Sequence, residues 1–294
     1  MTKTNFHTHT FRCGHAVGNE EAMIQSAIEN KIEILGMSCH VPLPKYRWHL
    51  LKGMPYAMKN MQAWKSFCKA MVHNGPAMRM PYKMKKKHQI NIKKMQEEHK
   101  DIITIYQGYE AEYFRNYLSY YQEMLDSKEV EYLILGHHFD KYSVHTKYYG
   151  RIGITNAEIE QYKDDVVEAF DTGLFSYLAH PDLFMVGKVH WDEFCDRITR
   201  EICLKAKETN TPLEINGGGM RRGLRQVDDE MVYPYPNTHF WKIASEIGND
   251  VVIGLDAHSP EDINDNVYDK LWKFANSHNL RVIDTFPFKK GNRR

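Results

Sequence analysis

Short apolar segments alternate with amphipathic segments along most of the chain. Seven runs rich in Val, Ile, Leu and Tyr are bounded by turn or polar residues, as is typical of buried β-strands. They cover residues 4–8, 32–38, 102–108, 131–135, 175–178, 211–215 and 251–255. Most show little alternation of apolar and polar positions, which favours strands covered on both faces of a parallel sheet.

The amphipathic segments between these runs predict helices. Residues 20–30 place Ala22, Met23, Ala27 and Ile28 on one stripe, and residues 156–171, 191–209 and 239–247 show similar spacing. Strand–helix units repeated about seven times predict an α/β fold of the TIM-barrel type. No repeat or linker marks a boundary, so we expect one domain over residues 1–294.

Residues 41–100 interrupt this rhythm after the second strand. The segment has eight Met residues between positions 54 and 95 and the run Lys83-Met84-Lys85-Lys86-Lys87, and we expect helices near 56–72 and 85–99. One interpretation is a lid over the strand ends that supplies positive charge for an anionic substrate. The other is a solvated basic helical excursion packed through its Met residues.

Composition narrows the classes of function. The 294 residues carry 39 Lys+Arg against 38 Asp+Glu, a net charge of +1, which argues against a dedicated nucleic-acid or membrane-surface protein. No apolar run approaches the roughly 20 residues of a membrane span, and no signal-peptide core precedes the first strand. The five cysteines are widely spaced and include no CxxC motif, so we expect a reducing, cytoplasmic setting.

The 16 histidines are the unusual feature of the composition, and many follow predicted strands. Each polar cluster lies at the carboxyl end of a strand, where barrel active sites are built. The clusters are His7 and His9 with His15 nearby, His40, Glu110 and Glu112, His137 to Asp140, His180 with Asp182, and Asp256 with His258. Nitrogen and oxygen ligands suit zinc, manganese or iron, and their number implies two or three divalent ions.

These motifs, in this order, resemble the polymerase and histidinol phosphatase (PHP) family. They are His7-Thr8-His9, a following His, Ser38-Cys39-His40, GYEAE, GHH, AHPD and GLDAH, and they span nearly the whole chain. The family fold is a distorted seven-stranded βα barrel. The length, the long insertion after His40 and the segment from Glu214 to Arg222 most resemble bacterial monofunctional L-histidinol-phosphate phosphatases.

The resemblance implies a three-metal centre, with zinc the first expectation and manganese or iron the alternatives. His7, His9 and Asp256 would bind one ion, which Glu110 would bridge to a second ion held by His138 and His180. His15, His40 and His258 would hold the third. Family spacing favours Glu110 over Glu112 and His138 over His137, while His137 could instead lie behind the ligands.

The expected reaction is hydrolysis of L-histidinol phosphate in histidine biosynthesis. We predict in-line attack on phosphorus by a hydroxide shared between two metals. A general acid should protonate the alkoxide leaving group, and the candidates are Asp256, His258 and His239. Arg221 and Arg222 follow a glycine turn and are expected to clamp phosphate, with Arg115 and Arg197 as weaker alternatives. Glu112, Trp48 and Tyr117 are the candidates for contact with the ammonium and imidazole groups.

Two other functions fit parts of the pattern. The same centre could hydrolyse another phosphomonoester or a nucleic-acid end, although the near-zero net charge weakens the second of these. A non-catalytic metal-binding domain is the remaining alternative, and the complete ligand set argues against it. The sequence predicts a small-molecule substrate, no membrane association and no particular oligomeric state.

Overall fold

Eight parallel strands form one curled sheet in the computed structural model, which describes residues 2–44, 51, 54–73, 79–140 and 147–291. The spatial order is β1-β2-β3-β4-β5-β6-β9-β10. The strands are β1 (Thr4–Asn5), β2 (Ile34–Met37), β3 (Thr104–Ala111), β4 (Tyr132–Leu135), β5 (Tyr177–Leu178), β6 (Leu213–Asn216), β9 (Asp250–Gly254) and β10 (Arg281–Val282). A separate antiparallel hairpin consists of β7 (Arg225–Val227) and β8 (Glu230–Val232).

The curl brings the first and ninth strands together at their carboxyl ends. Beyond β1, the amide of His9 donates to the carbonyl of Ala257 at 2.8 Å, and the amide of Ala257 donates to the carbonyl of His7 at 3.1 Å. Thr8 and Ala257 thus form a parallel bridge just past β9. Side chains that follow β1 and β9 therefore face the same small space.

Ten α-helices are assigned among the described residues, most of them between successive strands. They are α1 (Glu20–Glu29), α2 (Met54–Ala57), α3 (Met61–His73), α4 (Lys85–His99), α5 (Leu118–Asp126), α6 (Asn156–Asp171), α7 (Glu193–Glu208), α8 (Gly217–Arg221), α9 (Thr238–Ile247) and α10 (Asp265–Ser277). Side-chain caps begin several of them, as at Asn19, Asp192 and Asn264, and Thr155 with Glu158 forms a capping box. Each cap satisfies an amide that the first helical turn leaves unpaired.

Two apolar regions flank the sheet. The larger fills the space between strands and helices, with Trp241, Tyr121 and Phe184 fully buried. The smaller lies inside the curl and contains Phe6, Tyr132, Ile134, Tyr177, Ala179, Val252 and Phe286. Phe286 of the smaller region comes after the last strand, so the C-terminal segment covers the interior of the curled sheet.

The predicted α/β class and parallel sheet are confirmed, whereas the count of seven strands is too low. Each predicted run overlaps one observed strand, but β10 adds an eighth strand of only two residues. Such a short edge strand has too few positions to produce a detectable apolar run. The third strand also continues past residue 108 to Ala111, which places Glu110 on the strand itself.

The segment 41–100 contains three of the helices. The predicted helix at 56–72 is observed as α2 and α3, and α4 matches the predicted range 85–99. Ile92 and Met95 of α4 are buried, so this helix packs against the sheet. Residues 45–50, 52–53 and 74–78 lie outside the described residues, and a lid stays a prediction. Within the described ranges, no helix combines the length and apolar character needed to cross a membrane.

Candidate metal centre

The predicted ligands gather at the carboxyl end of the parallel sheet. They come from six strands or the residues just beyond them: His7 and His9 after β1, His40 after β2, Glu110 on β3, His138 after β4, His180 after β5, and Asp256 and His258 after β9. A parallel bridge between His40 and Glu110 keeps two of these positions in register. The structure therefore brings the sequence-predicted residues into one cluster.

Glu110 lies at the centre of this cluster and is buried. Its oxygens lie within 3.5 Å of five imidazoles: Oε2 is 3.4 Å from His7 Nε2, 3.3 Å from His9 Nε2 and 3.1 Å from His40 Nδ1, and Oε1 is 3.2 Å from His180 Nε2 and 3.5 Å from His138 Nε2. Gly136 provides the space, because a Cβ there would collide with the carboxylate. The two oxygens thus face different sets of histidines, as a bridging ligand requires.

The donor atoms fit divalent metal ions. Four overlapping groups each place three ligand atoms within 4.8 Å of one another: His7, His9 and Asp256; His9, His40 and Glu110; His40, Glu112 and His138; and Glu110, His138 and His180. His7 Nε2, His9 Nε2 and His40 Nδ1 are buried without a hydrogen-bond partner. Buried nitrogens left unpaired are costly, and imidazole with carboxylate is a donor set for zinc, manganese or iron.

Electrostatics within the cluster are strongly coupled. Burial alone would lower the pKa of His9, but the nearby carboxylates of Asp256 and Glu110 raise it to about 9. Burial would likewise raise the pKa of Glu110, but the surrounding histidines hold it well below its usual range. The pKa is likewise raised for His7 and His180 but lowered for the outer histidines His15, His40 and His258. Divalent cations can replace the protons that the inner imidazoles hold beside the carboxylates.

His15 and His258 form the outer edge of the cluster. Their Nε2 atoms lie 2.9 Å apart. Nδ1 of His15 lies 3.2 Å from the carbonyl of Cys13, and Nδ1 of His258 lies 2.9 Å from the carbonyl of Asp256. Because a carbonyl only accepts, each Nδ1 carries a proton and the two Nε2 lone pairs face each other. That arrangement calls for a cation between them.

Two candidate ligands have left-handed backbone conformations. The φ angle is 31° at His180 and 50° at Asp256. Such conformations cost non-glycine residues on the order of 1–3 kcal/mol each and concentrate at functional sites. The strain is consistent with side chains held in place for binding.

The structure separates His137 from His138. His137 turns into the barrel wall, where Nδ1 accepts from the amide of Tyr113 at 3.2 Å and Nε2 lies 3.3 Å from Asp165 Oδ2. His138 faces the cluster, and its ring centroid is 4.7 Å from that of His180. The wall position of His137 excludes it from the ligand groups.

Glu112 lies behind His138. It is completely buried, and its Oε2 accepts from the amide of His138 at 2.6 Å. Its Oε1 lies 3.2 Å from His138 Nδ1 and accepts from Arg79 Nη2 at 2.8 Å. These contacts hold His138, a candidate ligand, in place. Contact between Glu112 and a substrate stays a prediction.

The two adjacent arginines have different surroundings. Arg221 donates to the carbonyls of Leu255 and Asp256 at 2.6 and 2.5 Å and pairs with Asp262 at 3.1 Å, so it braces the loop that carries Asp256. Arg222 lies 5.9 Å from the ring of Tyr235, which itself lies 6.4 Å from the ring of His180. Burial alone would lower the pKa of Arg222, but Tyr235, Tyr148 and Asp256 raise it. Of the pair, Arg222 is the one available to an anion.

Arg115 and Arg197 are engaged elsewhere. Arg115 pairs with Glu168 and, at 3.4 Å, with Asp165 of α6. Arg197 pairs with Glu160 and, at 2.9 Å, with Glu201, on the exposed side of α7. Both form surface ion pairs, so neither gains support as a phosphate ligand.

The structure also shows the positions of Tyr117 and His239, two further residues predicted from the sequence. Tyr117 is buried and donates to the carbonyl of Pro44 at 3.1 Å. His239 is exposed in the first turn of α9, and its ring stacks on Trp191 with 5.3 Å between centroids. Trp48 lies outside the described residues.

Sequence reasoning gave no role to Glu214, Tyr148 or Tyr235. Glu214 is buried on β6 and contacts His7 at 2.9 Å, and Tyr148 stacks near His138 at 6.2 Å. A charged residue inside an apolar run was the available signal for Glu214. No comparable signal existed for the tyrosines, which reach the site from loops.

A family model, the PHP domain, matches residues 5–217. The chain belongs to the PHP family. A comparison with curated proteins finds no match. The PHP fold is shared with a provisionally assigned histidinol phosphatase from Listeria monocytogenes, at 18% identity and a TM-score of 0.65, over 91% of this chain and 99% of that one.

A second PHP-like structure is histidinol phosphate phosphatase from Lactococcus lactis subsp. lactis Il1403, complexed with zinc, L-histidinol and phosphate. It is 15% identical, with a TM-score of 0.65 over 99% of both chains. At these identities the likeness establishes the fold. Together with the PHP family match and the buried His, Glu and Asp groups, it supports a metal-dependent phosphatase.

Proposed function

We propose that this PHP protein hydrolyses a phosphate monoester with the help of divalent metal ions, and that its substrate is L-histidinol phosphate. The observation that carries the proposal is the ring of five imidazoles around the buried Glu110 carboxylate, with three buried nitrogens unpaired. Zinc, L-histidinol and phosphate in the Lactococcus structure support the choice of metal and substrate. Histidine biosynthesis is the corresponding pathway.

We propose three ion positions, and the ligand geometry supports each of them. His7, His9 and Asp256 would hold one ion, and His138 with His180 a second, with Glu110 shared between them. His15 and His258 would hold a third together with His40, since their lone pairs face each other. His40 also lies 3.1 Å from Glu110, so it links the third position to the other two.

The proposed ions and the side chains around them would have different roles in the reaction. Bound divalent ions would supply charge neutralisation for phosphate and an activated water with a pKa near ~7. Arg222 would bind a phosphate oxygen, because a guanidinium forms paired hydrogen bonds with phosphate. Tyr148 and Tyr235 would limit access of bulk water beside His138 and His180. The donor of a proton to the leaving alkoxide stays a prediction among Asp256, His258 and His239.

A phosphate-release assay tests the substrate. Purified protein in the presence of zinc or manganese is given L-histidinol phosphate, other alkyl phosphates, sugar phosphates, nucleotides and oligonucleotides with a terminal phosphate. We expect kcat/KM for L-histidinol phosphate to exceed the others at least about 100-fold, a discrimination that several lost contacts can produce. Equal rates over the panel would reject this substrate, and a preference for oligonucleotides would favour the nucleic-acid alternative.

A further inference from the structure

Glu214 is a buried carboxylate that belongs to none of the ligand groups. It lies on β6 and faces His7, whose Nδ1 is 2.9 Å from Oε1 and 3.1 Å from Oε2. A carboxylate accepts hydrogen bonds, so this contact places the proton of neutral His7 on Nδ1. The lone pair is then on Nε2, which lies 3.4 Å from both Glu110 and Asp256.

Glu214 is itself held in one orientation. Asn216 Nδ2 donates to its Oε2 at 2.7 Å, and the backbone amide of His180 donates to the same oxygen at 3.3 Å. Gly254 on the adjacent strand β9 makes room for the carboxylate, because a Cβ there would collide with it. One carboxylate thus connects the ring of His7 with the strained backbone of His180.

The charge of Glu214 acts mainly on His7. Among the residues that the structure describes, no Lys or Arg forms an ion pair with Glu214, whereas Glu112 shares its charge with Arg79 at 2.8 Å. A carboxylate hydrogen bonded to the far nitrogen of an imidazole fixes the ring and makes the metal-facing nitrogen a stronger donor. Glu112 and Glu214 therefore act on ligands of different ion positions with different strengths.

We propose that Glu214 is a positioning residue, which orients His7 and the His180 backbone for metal binding without itself contacting the ion. The inference rests on the proposed metal centre and adds a residue that sets its affinity. Strand β6 would thus contribute to the metal centre through Glu214, although none of the proposed ligands lies on it. Loss of such an outer partner weakens metal binding about 10- to 100-fold.

The test compares Glu214→Gln with the wild-type chain by zinc titration against a competing chelator. The matched control is Glu129→Gln, which removes the same charge from a partly buried glutamate that pairs with Lys85 at 2.6 Å instead of with a predicted ligand. We expect the Kd for zinc to rise about 10- to 100-fold in Glu214→Gln and to change less than about twofold in Glu129→Gln. In the zinc-bound protein, the ¹⁵N NMR signal of the His7 Nδ1–H group should shift only in Glu214→Gln, because its hydrogen-bond acceptor loses its charge.

Each outcome has a separate meaning. Wild-type affinity together with an unchanged imidazole signal in Glu214→Gln would overturn the positioning role. Absence of zinc binding by the wild-type chain would instead overturn the proposed centre. If Glu214→Gln does not fold, Asn216→Ser provides the second variant, since serine retains the cap of α8 but removes the 2.7 Å bond to Glu214. It should weaken zinc binding by a smaller factor, and wild-type affinity there would also contradict the role.

Discussion

Adjacent residues of this chain do different work, and spacing alone could not separate them. His137 and His138 are neighbours, yet one packs in the wall beside Asp165 and the other faces Glu110. Arg221 and Arg222 are neighbours as well, and only Arg222 remains available to an anion. Consecutive side chains point to opposite sides of an extended segment and about 100° apart around a helix, so a sequence motif identifies each pair and the fold assigns each member.

The histidine pair gives a prediction at this scale. His138→Ala should remove a ligand of the second ion and lower kcat/KM at least about 100-fold at a temperature where the variant is fully folded. His137→Ala should instead cost about 2 kcal/mol of unfolding free energy, because it leaves Asp165 and the Tyr113 amide without this partner. Metal content and thermal unfolding of both variants distinguish the effects, and loss of metal in His137→Ala alone would contradict the assignment.

Arg221 and Arg222 give a second prediction at the scale of single residues. Arg222→Ala should lower kcat/KM for phosphate release about 10²- to 10³-fold, as removal of one charge-stabilising donor does, with unchanged metal content. Arg221→Ala, its matched control, removes hydrogen bonds to the loop of Asp256 and should lower both stability and metal retention. Steady-state kinetics with metal analysis measures both, and similar effects of the two substitutions would show that Arg222 has no specific role.

At the scale of elements, the positions of the predicted ligands followed from one rule. Polar clusters came at the ends of apolar runs, and parallel strands bring their carboxyl ends to one face. This rule did not identify Glu214, because Glu214 lies within β6 instead of after it. Strand β10 was not predicted, because its two residues show no pattern. Tyr148 and Tyr235 were not predicted, because loop conformation depends on the whole fold.

A buried ionic cluster joins the first loop to two helices. Glu20 of α1 pairs with Arg12 and accepts a hydrogen bond from Nδ1 of His88 of α4 at 2.8 Å. Burial alone would raise the pKa of Glu20, but the hydrogen bonds from His88 and Arg12 lower it to about 2. The cluster ties α4, which lies in the long segment after β2, to the loop that carries His15.

This cluster predicts a pH dependence. A carboxyl pKa lower in the folded than in the unfolded chain stabilises the fold above the unfolded value, near 4.5, and the benefit disappears as the pH falls toward 2. Glu20→Gln should therefore lower the unfolding free energy on the order of 3 kcal/mol at pH 7 and flatten its fall between pH 4.5 and 2. Denaturant titrations over this range measure the difference, and parallel curves for both proteins would refute the argument.

At the scale of the whole molecule, the two ends of the curled sheet have opposite characters. Phe6, Tyr132, Tyr177 and Phe286 pack inside the curl, and the charged cluster occupies the carboxyl end. The hydroxyl of Tyr132 donates to the carbonyl of Phe6 at 2.7 Å, which satisfies a polar group within this apolar region. The sequence predicted the sheet and its functional face, but not that a segment beyond the last strand fills the interior.

Phe286 should therefore contribute to stability and not to chemistry. Phe286→Ala removes a side chain that is 8% exposed and should cost about 3–5 kcal/mol of unfolding free energy. Ile102→Ala, at a site that is 65% exposed, is the control and should change little. Below its melting temperature the Phe286 variant should retain wild-type metal content, and a lower content would show that the interior also shapes the centre.

Metal dependence of phosphate release from L-histidinol phosphate is the direct test of the proposed metal-dependent phosphatase. The rate is measured before chelation, after complete removal of metal, and after addition of zinc or manganese. We predict that chelation abolishes release, that added metal restores it, and that bound metal reaches two to three equivalents. Release that persists in fully metal-free protein, or no release in metal-replete protein, would contradict it.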